Sequence, residues 1–197
     1  ILVNGGAVAI KGGTPTATNT RLIQVFGRAG DDVISLNETN GPLPTANLFG
    51  SAGNDTLTGG DANDIIYGGA GNDLIKGGGG YDILFGDQGR VADTLNPPFI
   101  SSRITTADGD DKVEGGDADD VIFGGGGNDN LKGDGGDDII IGDGGRFEYT
   151  TTGGHVDVAA LRPDPYVPTP VSTPVDPDII SDEIDDVRGV LPLAQGV

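Results

Sequence analysis

The chain has no cysteine, methionine or tryptophan, and aromatic residues make up only 5% of its 197 residues. Apolar residues account for 35%, so a conventional hydrophobic core would be thin. Disulfide bonds are excluded because they need cysteine. With one histidine and no cysteine, a zinc site or a nucleophilic triad has almost no support.

Positive charge is scarce, with 11 basic residues against 31 acidic ones and a net charge of −20. Such a chain is a poor partner for nucleic acid. No apolar run approaches the roughly 18 residues of a membrane helix, so we expect no transmembrane segment. The start, ILVNGGAVAI, lacks the basic region of a signal peptide, and we expect the chain to be a piece of a longer protein.

Glycine and aspartate, by contrast, recur at fixed places. From Gly50 the chain reads GSAGNDTLT, GGDANDIIY, GGAGNDLIK and GGGGYDILF; from Thr106 it reads TADGDDKVE, GGDADDVIF, GGGGNDNLK and GDGGDDIII; an earlier copy is GRAGDDVIS. The sixth residue is always aspartate and the eighth always aliphatic. High charge with low hydrophobicity is typical of disordered chains, but disorder gives no reason for a nine-residue period. The period therefore predicts a repeat architecture.

Each nonapeptide predicts one glycine-rich turn followed by one short strand. In GGAGNDLIK, Ile75 would face one way and its neighbours Leu74 and Lys76 the other. Two repeats then complete a coil, and stacked coils give two parallel sheets with the eighth-place aliphatic residues between them. The predicted fold is all-β, a parallel β-roll. Neighbouring turns on one edge would offer about six carboxylate and carbonyl oxygens, which suits Ca²⁺ better than Mg²⁺.

The repeats resemble the nonapeptide of RTX proteins, G-G-x-G-x-D-x-U-x. The resemblance covers residues 50–90 and 106–147, is partial over 27–35 and ends near residue 150. It implies a right-handed roll with calcium between successive turns. With the N-terminal rungs included, we count about eight calcium sites along the two edges of this chain. It also implies the ligands: the second and fourth carbonyls and the aspartate of one turn, with the first and third carbonyls and the aspartate of the next.

Mapped onto this chain, the implied ligands form four pairs of turns. They are Ser51, Gly53 and Asp55 with Gly68, Ala70 and Asp73; Gly60, Ala62 and Asp64 with Gly77, Gly79 and Asp82; Ala107, Gly109 and Asp111 with Gly124, Gly126 and Asp129; and Gly116, Ala118 and Asp120 with Gly133, Gly135 and Asp138. Further candidates are Asp32, Gly69, Gly71, Gly125 and Gly127. Two turns carry Val91 and Phe147 at the sixth place and would lend only carbonyls, from Gly86, Gln88, Gly142 and Gly144.

Residues 91–105 break the period, and we expect them to form an irregular rung of one continuous roll. The seventh- and ninth-place residues support this, because one outer flank is apolar and the other polar on both sides of the break. The apolar flank contains Ile65, Tyr67, Ile83, Phe85, Val121, Phe123, Ile139 and Ile141. On the polar flank a surface pair between Glu114 and Lys132 is predicted.

We divide the chain into an N-terminal cap or imperfect rungs (1–49), the roll (50–147) and a Pro-rich acidic segment (148–197). Large apolar patches are rarely left exposed on soluble monomers. The last segment could cover the apolar flank or be a flexible linker. A second copy of the chain or a neighbouring domain could cover it instead.

The leading functional interpretation is a calcium-dependent structural module of a secreted or cell-surface protein, and not an enzyme. The resemblance implies a bacterial type I secretion channel as export partner. One alternative is a recognition segment that binds a partner or carbohydrate through the apolar flank or the calcium edge. Another is the carrier domain of a secreted hydrolase or toxin.

Overall fold

The computed structural model describes residues 2–3, 6–7, 20–92, 98–152 and 155–162. Within these ranges the only regular elements are strands, which confirms the all-β prediction. They are β1 (Leu2–Val3), β2 (Gly6–Ala7), β3 (Ile23–Ala29), β4 (Val33–Ser35), β5 (Ala46–Ala52), β6 (Thr56–Thr58), β7 (Ile65–Ala70), β8 (Leu74–Gly79), β9 (Ile83–Phe85), β10 (Gln88–Ala92), β11 (Phe99–Arg103), β12 (Lys112–Asp117), β13 (Val121–Phe123), β14 (Asn130–Gly135), β15 (Ile139–Ile141), β16 (Arg146–Thr152) and β17 (His155–Arg162).

Two sheets form the roll, and successive strands alternate between them. The six-stranded sheet has the order β15-β13-β9-β7-β5-β3, and the seven-stranded sheet has the order β14-β12-β8-β6-β4-β1-β2. The pairing is parallel throughout the first sheet and from β4 to β14 in the second. Only β1 and β2 pair antiparallel there. The prediction of a parallel β-roll is confirmed.

The core is a column of eighth-place aliphatic side chains between the two sheets, as predicted. Leu57, Ile66, Ile75, Leu84, Val113 and Ile122 are all fully buried. Along the seven-stranded sheet the register stacks Leu57 on Ile75 and Ile75 on Val113. Burying each such side chain contributes about 1.5–3 kcal/mol, so the column stabilises every rung through its two neighbours.

The roll is continuous, but residues 91–105 do not form a rung of it. Strand β8 pairs directly with β12, and β9 pairs directly with β13, so the repeats on either side of the break are neighbours. The insert leaves as β10 and returns as β11, and these two strands pair antiparallel. The predicted irregular rung is therefore wrong in this detail. Antiparallel pairing satisfies the insert's backbone groups outside the roll.

A four-stranded antiparallel sheet, in the order β10-β11-β16-β17, lies over part of the apolar flank. Under it, Phe85 and Phe123 are fully buried and pack with Ile100 and Tyr149. The insert thus supplies two of the four strands of this cover. From the sequence we predicted the segment 148–197, a second copy or a neighbouring domain as the cover, and not the insert. Residues 163–197, which contain most of the Pro-rich segment, lie outside the described residues.

The N-terminal strands continue the stacking of the roll. Strand β3 pairs parallel with β5, and β4 pairs parallel with β6. The division of the chain at 49 and 147 stays a prediction.

Candidate metal centre

Two rows of aspartates lie along the two edges of the roll, and within each row successive aspartates are one rung apart. On the first edge the amides of Asp32, Asp55, Asp73 and Asp111 donate to Oδ1 of Asp55, Asp73, Asp111 and Asp129, over 2.7–3.0 Å. On the second edge the amides of Ala46, Asp64, Asp82 and Asp120 donate to Oδ1 of Asp64, Asp82, Asp120 and Asp138, over 2.7–2.8 Å. One oxygen of each carboxylate is thereby fixed, and the other is turned into the groove between turns.

The second oxygen, Oδ2, has no donor in five of these aspartates: Asp55, Asp73, Asp82, Asp111 and Asp120. All five residues are at most 3% exposed. Burying an ionised oxygen without a partner costs several kcal/mol, so such atoms call for a counter-charge. Asp64 differs, because its Oδ2 accepts a 2.9 Å hydrogen bond from the Gly60 amide.

The Oδ2 atoms of the edge aspartates lie close to carbonyl oxygens of the next turn. At Gly50, the two atoms nearest to where a Cβ would stand are Oδ2 of Asp55 and the carbonyl oxygen of Gly68. The same pair of oxygens, an aspartate Oδ2 and the next turn's first carbonyl, recurs at Gly59, Gly68, Gly77, Gly86, Gly115 and Gly124. Two acceptors side by side repel unless a cation lies between them. The glycines leave the room that this needs.

The turns depend on positive φ at their second and fourth places. Gly69 and Gly71 have φ of 121° and 108°, and a Cβ on Gly69 would meet the Ser51 backbone. Ser51 and Ala118 adopt positive φ without being glycine, at 92° and 77°. Such conformations cost roughly 1–2 kcal/mol per residue, which the contacts between turns must offset.

Burial shifts the acidity of the edge carboxylates. Desolvation is the largest cause and raises the pKa of Asp73 and Asp120 to about 7, and the pKa of Asp82 and Asp111 to about 8. Backbone hydrogen bonds lower these values, and neighbouring aspartates raise them further. The pKa values of Asp55, Asp64 and Asp138 are raised in the same way. Without a cation, ionised carboxylates are thus disfavoured in the folded roll.

The donor set suits calcium. Among the described residues, no three acidic or histidine side chains form a metal-binding group, so backbone carbonyls must complete any coordination shell. Ca²⁺ accepts 6–8 oxygens, carbonyls included, in irregular geometry, whereas Zn²⁺ favours nitrogen and sulfur. The residues therefore fit the ion that the repeat implies: the aspartates would hold it with the carbonyls of the adjoining turns.

Most of the predicted ligands lie in these turns, on the edges where they were expected, although their role as ligands stays a prediction. Gly86 places its carbonyl oxygen at Gly68 and accepts a 3.0 Å hydrogen bond from the Gly69 amide. Gln88 does not continue the turn, because it begins β10 and pairs with Arg103. Ala107 instead accepts the 3.2 Å hydrogen bond of the Gly71 amide, so it faces the preceding turn as well.

Two carboxylates at the irregular turns escaped sequence reasoning. Glu38 accepts hydrogen bonds from the amides of Leu43 and Asp61, and thus joins the loose turn after β4 to the next turn on that edge. Asp87 is 1% exposed and joins the turn interrupted by the insert to turn 124–129. Neither residue stands at the sixth place of a repeat, so the repeat pattern did not indicate them. For Glu38 there was one signal, because it is the only acidic residue in LNETNGPLP.

Comparison with known proteins gives one kind of match. The RTX calcium-binding nonapeptide repeat matches in four copies, over residues 47–75, 59–90, 103–131 and 114–146. No curated protein and no solved structure matches the chain. No membrane-spanning helix is found among the residues described above. With the geometry of the edges, these matches identify the stretches 47–90 and 103–146 as RTX calcium-binding repeats, and their regular turns build the parallel β-roll.

Proposed function

We propose that this roll folds on calcium outside the cell and acts there as a structural scaffold or folding aid for the protein that carries it. The carrying observation is the set of five buried aspartate oxygens without a hydrogen-bond donor. A net charge of −20 and a narrow aliphatic column as the core between the two sheets leave the calcium-free roll with little to hold it together. Binding free energy of the ions would then be folding free energy.

The proposed ligands are those implied by the repeat. On the first edge, Asp55 and Asp73 flank one groove with carbonyls of turns 50–55 and 68–73. On the second edge, Asp82 and Asp120 flank another with carbonyls of turns 77–82 and 115–120. About eight ions would follow if every groove were filled.

Burial of the aromatic residues favours a scaffold over a recognition surface. The rings of Phe26, Phe49, Tyr67, Phe85 and Phe123 stack along the flank with centroids 4.6–5.1 Å apart and planes within 13° of parallel. Their faces are therefore occupied by one another and are not free to stack on a sugar. The exception is the outer face of Phe26, which is 55% exposed at the end of the stack.

Secretion through a type I channel fits the same energetics. In a low-calcium cytosol the chain would stay unfolded and could be threaded, and millimolar calcium outside would then fold it by mass action. A carrier role for a hydrolase or toxin elsewhere in a longer protein is compatible with this mechanism. Export of a fusion that contains these repeats, with and without the secretion channel, tests the localisation.

A circular dichroism titration tests the calcium switch. The chain in chelator should show little sheet signal, and added calcium should restore it cooperatively. Magnesium at the same concentration is the control and should restore little, since it keeps its waters and demands an octahedron. Full sheet signal in chelator at neutral pH would overturn the proposal.

A further inference from the structure

One oxygen recurs at the second place of the regular turns. Beside Gly69 it is the carbonyl oxygen of Ser51, beside Gly78 that of Gly60, and beside Gly116 that of Gly78. In each case it is the atom nearest to where a Cβ would stand, and it belongs to the second residue of the preceding turn on that edge. A backbone carbonyl oxygen thus occupies the same position at three regular turns of the roll.

At Gly125 the corresponding oxygen belongs to a side chain and not to the backbone. The nearest atom there is Oδ2 of Asp87, although Asp87 is itself the second residue of the preceding turn. The main chain turns away at the next residue, Gln88, to begin β10. Asp87 remains in the turn and is 1% exposed. Its carboxylate accepts hydrogen bonds from the amides of Gly126, at 2.7 Å, and Gly109, at 3.4 Å.

The turn is completed by the chain that returns from the insert. The carbonyl of Ala107 accepts a hydrogen bond from the Gly71 amide, as the carbonyl of Ala70 does from Gly53 one turn earlier. Gly109 then lies against the carbonyl of Gly71. Residues 86–87 and 107–111 together therefore occupy the place of one turn, with the hairpin β10–β11 projecting from its middle.

The groove beyond this split turn has an oxygen in need of a cation. Oδ2 of Asp111 accepts no hydrogen bond, is buried, and converges with the carbonyl oxygen of Gly124 at Gly86, the residue next to Asp87. Asp108 is nearby but is held by Thr105, through the amide at 2.6 Å and through the hydroxyl. Asp87 and Asp111 are thus the carboxylates that the two halves of the split turn contribute.

We propose that Asp87 is a calcium ligand between the split turn and turn 124–129, its carboxylate replacing the second-place carbonyl of a regular turn. The inference rests on the proposed calcium binding. Because Asp87 precedes the hairpin and Asp111 follows it, one ion would hold both ends of the insert and fix the hairpin over Phe85 and Phe123. A charged ligand in place of a carbonyl would also make this site stronger than its neighbours, since charge count tunes calcium affinity.

The role of Asp87 is tested by counting the calcium ions bound by the unaltered chain and by three variants. The number of bound ions at saturation and their affinities are measured by equilibrium dialysis and calorimetry for the unaltered chain, Asp87→Ala, Asp87→Asn and Asp117→Ala. Asp87→Ala should bind one ion fewer. Asp87→Asn keeps an oxygen and should bind the full number, with one site roughly tenfold weaker. Asp117 is an exposed aspartate at the end of β12, and Asp117→Ala controls for the lost charge.

The outcomes separate this inference from the proposed function. If the unaltered chain binds no calcium, the proposed function fails. If it binds calcium and Asp87→Ala binds the same number with the same affinities, Asp87 only accepts hydrogen bonds and this inference alone fails. If Asp87→Ala does not fold, Asp87→Asn provides the test, because its amide oxygen can bind calcium as the backbone carbonyls do. Calcium affinity equal to that of the unaltered chain would contradict the inference. Failure of Asp87→Asn to fold in saturating calcium would contradict it as well.

Discussion

The amide of Asp73 donates a 2.8 Å hydrogen bond to Oδ1 of Asp111, 38 residues later in the chain. One turn earlier, Asp55 and Asp73 make the same contact across 18 residues. The extra 20 residues are therefore excluded from the stacking, and the aspartate row passes the insert without a gap. One continuous row of carboxylates means that ions along this edge would bind cooperatively, since each turn contributes to the groove on either side.

Removing the charge of Asp73 should weaken calcium binding strongly. Asp73→Asn keeps the shape and the Oδ1 acceptor but loses the charge of a buried, unpartnered oxygen. We expect the calcium concentration at the folding midpoint to rise roughly tenfold. The exposed Asp137, whose amide donates to Asp119, provides the control Asp137→Asn. Equal midpoints for the two variants, measured by circular dichroism, would argue against the grooves as calcium sites.

Two glycines separate backbone strain from contact between turns. Gly69 and Gly41 have nearly the same φ, 121° and 119°. A Cβ on Gly69 would meet the Ser51 carbonyl, whereas one on Gly41 would meet nothing within 4 Å. Gly41→Ala should cost about 1–2 kcal/mol through φ alone. Gly69→Ala should cost clearly more and weaken calcium binding, as denaturation and calorimetry in calcium can measure. Similar losses in both variants would contradict the close approach of the turns.

The aromatic stack should stabilise the roll mainly where the antiparallel sheet covers it. Phe123 is fully buried, while Phe26, at the other end of the stack, is 55% exposed. Phe123→Ala should cost about 3–5 kcal/mol, as is usual for a buried ring, and Phe26→Ala less than about 1 kcal/mol. Urea denaturation in saturating calcium measures both. A small effect of Phe123→Ala would mean that the four-stranded sheet is not docked on the flank in solution.

Acidification should stabilise the calcium-free fold. Burial raises the pKa of Asp82 and Asp111 from 3.8 to about 8 and that of Asp73 and Asp120 to about 7. A group whose pKa is higher in the folded chain adds stability that is complete below its unfolded pKa and lost as the pH rises through its folded pKa. Sheet signal without calcium should therefore grow as the pH falls from about 8 to about 4.

Calcium affinity should change in the opposite sense over that range, because protons and calcium compete for the same carboxylates. Calorimetry at pH 8 and pH 6 checks this part. A calcium-free chain that loses sheet on acidification, or a calcium affinity that rises, would show that the buried aspartates do not control folding.

The strict period made the regular part of this fold predictable. In a nine-residue repeat, strand alternation and turn chemistry fix which residues face the core and which lie at an edge. They place Leu57 inward and Asp55 at an edge. The same phase predicted that Glu114 and Lys132 are neighbours, and the register confirms it. The ion pairs of Glu114 run instead to Lys76 and Lys112, at 2.8 and 2.6 Å. Long flexible side chains choose among partners that sequence cannot rank.

The irregular parts could not be predicted because they depend on tertiary contacts without a period. The residues VADTLNPPFISSRIT carry no pattern that indicates departure from the roll within a turn. Their strands pair with each other and with residues near 147, and such long-range pairing has no sequence period. The importance of Asp87 follows from that departure. In the regular turn 133–138 the second-place carboxylate, Asp134, lies at the surface and pairs with Lys132. Asp87 is buried instead, at the point where the backbone is diverted into β10.

Crystals grown in calcium offer the most direct measurement, through the anomalous scattering of the bound ions. We predict peaks in the grooves beside Oδ2 of Asp55, Asp73 and Asp111, each surrounded by carbonyl oxygens of two adjoining turns. A well-ordered roll whose grooves contain only water, or nothing, would contradict it.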